Sequence, residues 1–304
     1  MNFLQLVNMT RLLSGASGAT ELTTLVGQNL EAQRYVEWVR EAYLDLQTMR
    51  LGWEWMRTSI AFPTVDHKAI YTLADLGLTS FSYWARNTFR NYESPAVLVS
   101  AGNISFANHE LSVGDTAVFF NTDGTGLSDG VTYYVVAVTR DTFSIATTPG
   151  GTALVITDPL GVMTMTSSNT TTFAGFKSEI FMDYIDYDVW RNTYQYGALR
   201  QINTRPISVS VGPQKQLVVG LYPKAGYTVV GDYYTAPVLL TADTDIPAMP
   251  DRFHLAIVYK AMVSCGLFES ASEIIQRGSS EGDKWTRRLM ADQGIEAQAP
   301  EALA

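Results

Sequence analysis

The sequence predicts an α+β protein: a helical bundle from the N- and C-terminal helices, a small antiparallel sheet, and an inserted all-β domain, barrel or sandwich. Three observations predict it. Apolar residues recur at helical spacing near both ends, and β-prone runs separated by turn signals fill the middle. Between residues 94 and 175 the composition shifts to Thr, Ser, Gly and Val, with no Lys at all. The expected division is therefore a core of residues 1–93 and 176–304 carrying an inserted domain over 94–175.

Taken in order, Asn2–Leu13 reads as a short helix, stopped by Ser14, Gly15, Ser17 and Gly18. From Gln28 to Met49 apolar residues fall three or four apart, at Ala32, Val36, Val39, Tyr43, Leu46 and Met49, with charged residues between, so an amphipathic helix is expected. Residues 58–73 give two β-prone runs around a polar turn at Asp66–Lys68, with Pro63 ending the first, and predict a hairpin. In the foreign segment the best strands are Thr116–Phe120, Thr132–Val138 and Thr142–Ala146. Beyond it, a helix is expected to begin near Asp186 or Asp188, either of which suits an N-cap. Runs over 206–211, 216–222 and 227–234 then predict a meander. The last strong element runs from Pro250 to about Arg277, with Leu255, Val258, Met262, Cys265, Phe268 and Ile275 on one stripe and Gly278 as its stop. A further helix, Ser280–Ala291, carries Trp285 and Leu289, and the small acidic tail after Gly294 is expected to be mobile.

Composition narrows the function. A hydrophobic share of 46% against 17% charged residues is that of a chain that folds, and 304 residues suffice for a sizeable core. The net charge of −9 gives no general attraction for phosphate backbones or anionic membranes. No uninterrupted apolar run approaches a membrane span, and the opening MNFLQLVNMTRLL is a poor secretory signal, so the product is expected to stay in the cytosol where it is made. A single cysteine, Cys265, rules out an intramolecular disulfide and reads as a reduced core thiol.

Groups able to do chemistry are scattered. His67, His109 and His254 sit in three different segments without an HxH or HExxH spacing, and His254, near a helix start, is expected at the surface or in a cap. Glu179, Asp183, Asp186 and Asp188 crowd together, and paired carboxylates are what glycosidases and divalent cations need. Here the interleaved Phe181, Tyr184, Tyr187 and Trp190 favour a helix start with packing anchors instead. The glycines at 124, 126 and 130 lack a phosphate-binding spacing. No catalytic residue, cofactor or metal site is expected.

Two groups of segments resemble phage head-to-tail adaptor proteins, the connector or tail-tubular-like family. One is MNFLQLVNMTRLL with EAQRYVEWVREAYLDLQ and WEWMRTSIAF; the other is FMDYIDYDVWRNTY, TRPISVS, GLYPKAGYTVVGDYY and IPAMPDRFHLAIVYKAM. The family pattern runs from near Trp84 and Phe89 almost directly into the stretch after Phe176, so the intervening β-segment is a departure; it resembles a small β-repeat of phage structural proteins. The resemblance implies a non-enzymatic virion protein of the neck, made in the bacterial cytoplasm. It implies a homo-oligomeric ring, a dodecamer, that binds the portal protein through its C-terminal segment. It further implies a tail, nozzle or head-closure protein on the other side, genomic DNA passing the lumen without sequence-specific binding, and no membrane. Amphipathic and aromatic patterning then nominates Trp38, Tyr43, Trp53, Trp55, Tyr184, Tyr187, Trp190, Phe253, Phe268, Trp285 and Leu289 as contacts to the portal or between subunits. On this reading, cutting the chain after Arg277 weakens portal attachment and spares the fold. The alternatives are another neck or tail component, such as a head-closure, tail-terminator or tail-tube protein, and a carbohydrate-binding or depolymerising tail protein. Against the last, the 179–188 carboxylates lie outside the β-segment.

Overall fold

The computed structural model describes residues 1–15, 20–93, 96–100, 102–106, 109–120, 122–157, 163–167, 178–224 and 226–293; the C-terminal tail after Gly294 lies outside them. The chain is α+β and divides into two compact units, one of Met1–Arg57 with Tyr234 onward, the other of Thr58–Tyr233.

In chain order, α1 (Phe3–Leu13) and α2 (Leu30–Thr48) precede β1 (Arg57–Pro63), β2 (Ile70–Tyr71), β3 (Tyr83–Trp84) and β4 (Arg90–Glu93). Six strands follow, β5 (Ala96–Ser100), β6 (Asn103–Ser105), β7 (Thr116–Phe120), β8 (Thr132–Val138), β9 (Thr142–Ala146) and β10 (Met163–Ser167). Then come β11 (Ile180–Phe181), β12 (Asp183–Tyr184), the single turn α3 (Tyr187–Trp190), β13 (Asn203–Thr204), β14 (Ser208–Val211), β15 (Leu217–Gly220), β16 (Tyr222–Pro223) and β17 (Tyr227–Tyr234). The last elements are α4 (Leu255–Glu269) and α5 (Ser272–Asp292).

In the first unit, α1, α2, α4 and α5 share one core. Helix α1 opens with a capping box in which Asn2 and Gln5 satisfy each other's backbone N–H, and the amides of Phe3 and Leu4 donate to Asp245 and Asp243 carbonyls. Asn29 caps α2 through the amide of Ala32. Val36, Val39, Tyr43 and Leu46 then bury one stripe of α2 against Phe3, Leu6, Ile257, Ala261 and Leu289. The returning chain is clamped to α2 by the buried amide of Gln47, which donates to the Val238 carbonyl at 2.9 Å and accepts from its N–H at 2.9 Å.

The C-terminal helix is not continuous to Arg277. It ends at Ser270, in the left-handed region at φ 55°, and the Ala271 amide donates to the Gly266 carbonyl at 2.9 Å before α5 turns back along α4. Gly278, expected as a stop, lies buried inside α5. An added Cβ there would meet the Tyr259 carbonyl and Val263 at 3.0 Å, so its role is close helix approach and not termination.

Among the described residues the second unit contains three open sheets and a barrel. One sheet has the order β1-β17-β4-β11 with β3 also on β17, a second the order β12-β14-β15-β2, and β13 pairs with β16. The hairpin expected over 58–73 does not form: β1 pairs with β17 and β2 with β15. Thr64 draws the chain away after Pro63, its amide donating to the Tyr227 carbonyl at 2.7 Å and its hydroxyl to that of Lys224 at 2.7 Å. Nor do the three runs after 206 form a meander. β14 and β15 are an antiparallel pair, but the chain then enters a parallel ladder at β16, where Pro223 lacks an amide hydrogen, and β17 joins the other sheet.

The barrel closes in the order β10-β5-β6-β9-β8-β7, with β10 pairing back onto β7 at Thr164↔Phe120. Its interior follows the period of two that a strand imposes: Ala117 and Phe119, Tyr133 and Val135, Phe143 and Ile145, Met163 and Met165. The three strands expected from β-propensity occupy the expected residues.

Candidate assembly surfaces

The nominated aromatic and apolar side chains separate by burial. Tyr43, Trp53, Phe253 and Leu289 are buried in the helical unit, and Trp190 in the second unit. Their partners are their own chain's: the Trp53 indole donates to the Leu46 carbonyl at 3.0 Å, and the Tyr43 hydroxyl accepts the Ala248 amide at 3.0 Å. Trp55 stacks on Trp53 and is half-buried, as are Tyr184, Tyr187 and Trp285; Tyr187 stacks on Trp190. Phe268 is the one nominated residue that is mainly exposed.

Phe268 belongs to a surface that sequence patterning alone did not assemble. The end of α1, the first turns of α2, the end of α4 and the start of α5 converge, held by Ser14 Oγ and Cys265 Sγ on the Tyr35 hydroxyl at 3.2 and 3.5 Å. Burial pushes both the Tyr35 phenol and the Cys265 thiol up, so both are neutral and the cysteine is an inert core group. Leu267 and Phe268 at the end of α4 are exposed, as are Leu12 at the end of α1 and Leu30 at the start of α2. The Arg34 guanidinium lies over the Phe268 ring, 4.2 Å from its centroid, and the Trp38 ring packs beside it at 5.8 Å. Spacing put Phe268 on the buried stripe of a long helix. Phe268 lies instead in the last turn of α4, exposed, one turn beyond the buried Cys265.

The truncation expectation is overturned by α5. Ending the chain at Arg277 would remove most of α5, with the fully buried Leu289, and would leave α4 without the partner that Gly278 brings close. Loss of such a buried leucine alone costs about 2–5 kcal/mol.

Groups with chemical potential stay apart. His67 lies at a turn beside Asn203, His109 is buried in the barrel, and His254 is fully buried in the helical unit. Of the two positions expected for His254, surface or cap, it takes the second: it is the N-cap residue of α4, without a side-chain cap bond, and it is buried, with its Nε2 3.1 Å from the Met249 carbonyl and its Nδ1 2.8 Å from the amino nitrogen of Met1, and burial pushes its pKa down. Among the 179–188 carboxylates, Glu179 faces Arg90 at 3.5 Å, while Asp183, Asp186 and Asp188 point to solvent; Asp186 occupies the N-cap of α3 without a side-chain cap bond. Among the described residues no cluster of three or more His, Cys, Asp or Glu could hold a metal ion, and no helix is long and apolar enough to cross a membrane.

A helical unit and a mainly β unit, with apolar side chains exposed at a helix end of the first, define a structural, contact-making class of protein. A family model described as SU10 adaptor protein matches residues 127–302, more than half of the chain, and the chain belongs to that family of phage head-to-tail adaptors. The match runs from inside the barrel through α5; the N-terminal segments that also resemble adaptors precede it. No curated protein matches the chain. The chain is thus a phage structural adaptor, from a family of virion components that associate with other head and tail proteins and are not a known enzyme class.

Proposed function

We propose that the chain is the head-to-tail adaptor that assembles as a ring beneath the portal and joins it to the tail, with DNA passing through the lumen. The observation that carries this is the family match through the C-terminal helices. The physical features agree: helices with a common core give a rigid subunit, Leu12, Leu30, Leu267 and Phe268 give it unburied apolar contact area, and the net charge of −9 disfavours retention of passing DNA. The partners are the portal protein on the head side and a tail, nozzle or head-closure protein on the other. Residues 94–175 are an inserted domain, and the portal contact lies on the C-terminal helices.

The test is sedimentation of the purified protein, alone and mixed with the portal protein of the same genome, followed by imaging of any fast complex. A ring docked coaxially on the portal is expected. Self-assembly into tubes without portal binding would instead indicate a tail component.

A further inference from the structure

Beside the exposed helix end, the helical unit carries a hollow of about 460 Å³ between α2, α4 and α5. Its floor is small, with Ala42, Ser264, Gly278 and Gly282; Glu41, Asp45 and Asp283 stand around it, and Lys260 pairs with Asp45 at 2.7 Å. Three carboxylates thus face one ammonium, and the opening is acidic.

The two glycines of the floor differ. At Gly278 a Cβ would crowd the backbone of α4 at 3.0 Å, so internal packing explains it. At Gly282 the nearest atom to an added Cβ would be 3.7 Å away, an ordinary contact, so packing within the chain does not require a glycine there. Glycine inside a helix costs about 1 kcal/mol relative to alanine. Gly282 lines the hollow.

We propose that this hollow receives Phe268, with Arg34 above it, from a second copy of the chain. The ring and its guanidinium form a cation-capped apolar knob: Phe268 is 57% exposed, flanked by Leu267 at 64%, and Arg34 is exposed. A small-floored hollow edged by carboxylates is its complement in shape and in charge. In its own chain Phe268 is held against Arg34 and Trp38 and does not line the hollow, so only another chain's Phe268 can fill it. Knob and hollow are different patches of one surface. Their contact is head-to-tail, and repetition of a head-to-tail contact closes a ring or grows a filament. The inference rests on the ring reading above and names the residues that join neighbours.

The experiment uses three full-length chains, wild type, Phe268→Ser and Ser279→Trp, with self-association measured by sedimentation velocity over a concentration series. Both altered positions are exposed, so each variant is expected to melt like the wild type. The tryptophan fills the hollow; the serine removes the knob. Each variant alone is expected to associate at least about tenfold more weakly than the wild type, as loss of an interface anchor does. Mixed together they are expected to form a species of two chains and stop, because one supplies the intact knob and the other the intact hollow. Wild-type-like association of either variant overturns the knob-and-hollow contact and leaves the ring reading intact. A wild type that stops at two chains overturns the head-to-tail form. A wild type that neither self-associates nor forms a ring on the portal overturns the ring reading itself.

Discussion

A buried histidine ties stability to pH in a direction fixed by its surroundings. His254 has no exposed surface, and burial holds its folded-state pKa below the ordinary 6.5. As the pH falls, the unfolded chain therefore takes up the proton first. Its contribution is complete above pH 6.5 and is lost as the pH drops through 6.5 toward the folded value. The carboxylates held low, Asp75 at about 2 beside Lys68 and Asp245 by the amides of Thr241 and Ala242, act only in the more acid carboxylate range. Urea midpoints should thus fall between pH 8 and pH 5.5, and His254→Gln should flatten that fall while lowering the plateau. An equally steep fall in the variant would refute this assignment. That the imidazole is buried was not readable from its position beside a helix start. What buries it is the Met249 carbonyl and the N-terminal segment, partners remote in sequence.

Among elements, local signals gave the barrel strands and the first two helices, whereas the last two helices begin at Leu255 and Ser272 and not at Pro250 and Ser280, and non-local contacts decided the strand pairing. The barrel strands were readable because a closed interior forces apolar residues to alternate, as at Phe143 and Ile145. The stripe of α2 was readable for the same kind of reason, a local period. The break between α4 and α5 was not, since Ser270 adopts a left-handed conformation without a glycine or proline to announce it. Gly278, which did look like a punctuation mark, serves a contact instead. This gives a graded prediction along one helix pair. At Gly266 a Cβ would meet the Ile275 amide nitrogen at 2.9 Å and at Gly278 the Tyr259 carbonyl at 3.0 Å, so alanine should cost roughly 1–3 kcal/mol at either position as α5 is pushed from α4. At Gly282, with its nearest atom at 3.7 Å, alanine should add up to about 1 kcal/mol through helix propensity. Chemical denaturation of the three single variants decides it. Equal losses at all three would mean that close approach does not set the α4–α5 packing.

For the molecule as a whole, the composition shift set residues 94–175 apart but could not say how the chain enters and leaves them. Pairing supplies that. β4 ends at Glu93, β11 begins at Ile180, and the two are antiparallel neighbours with Ile180 opposite Asn91. The Glu93 amide donates to Ser178 Oγ at 2.9 Å, and the Arg205 guanidinium bonds the carbonyls of both Asn91 and Ser178. The ends of the segment are therefore closed by groups outside it, the arrangement in which an insertion can be removed without opening the loop that carried it. Replacing residues 94–175 by a short linker should leave a chain that unfolds cooperatively and still binds portal. The variant should be less stable, because the buried Tyr92 hydroxyl loses Thr166 in the barrel, a bond worth about 0.5–1.5 kcal/mol, and gains water in exchange. Tyr92→Phe in the full-length chain removes the hydroxyl's bonds to Thr166 and Thr228 together, so it sets an upper bound on that loss in the deletion. A deletion variant with no cooperative transition, when Tyr92→Phe melts only slightly below the wild type, would mean that β4 and β11 depend on the barrel for their order and that residues 94–175 are part of the core.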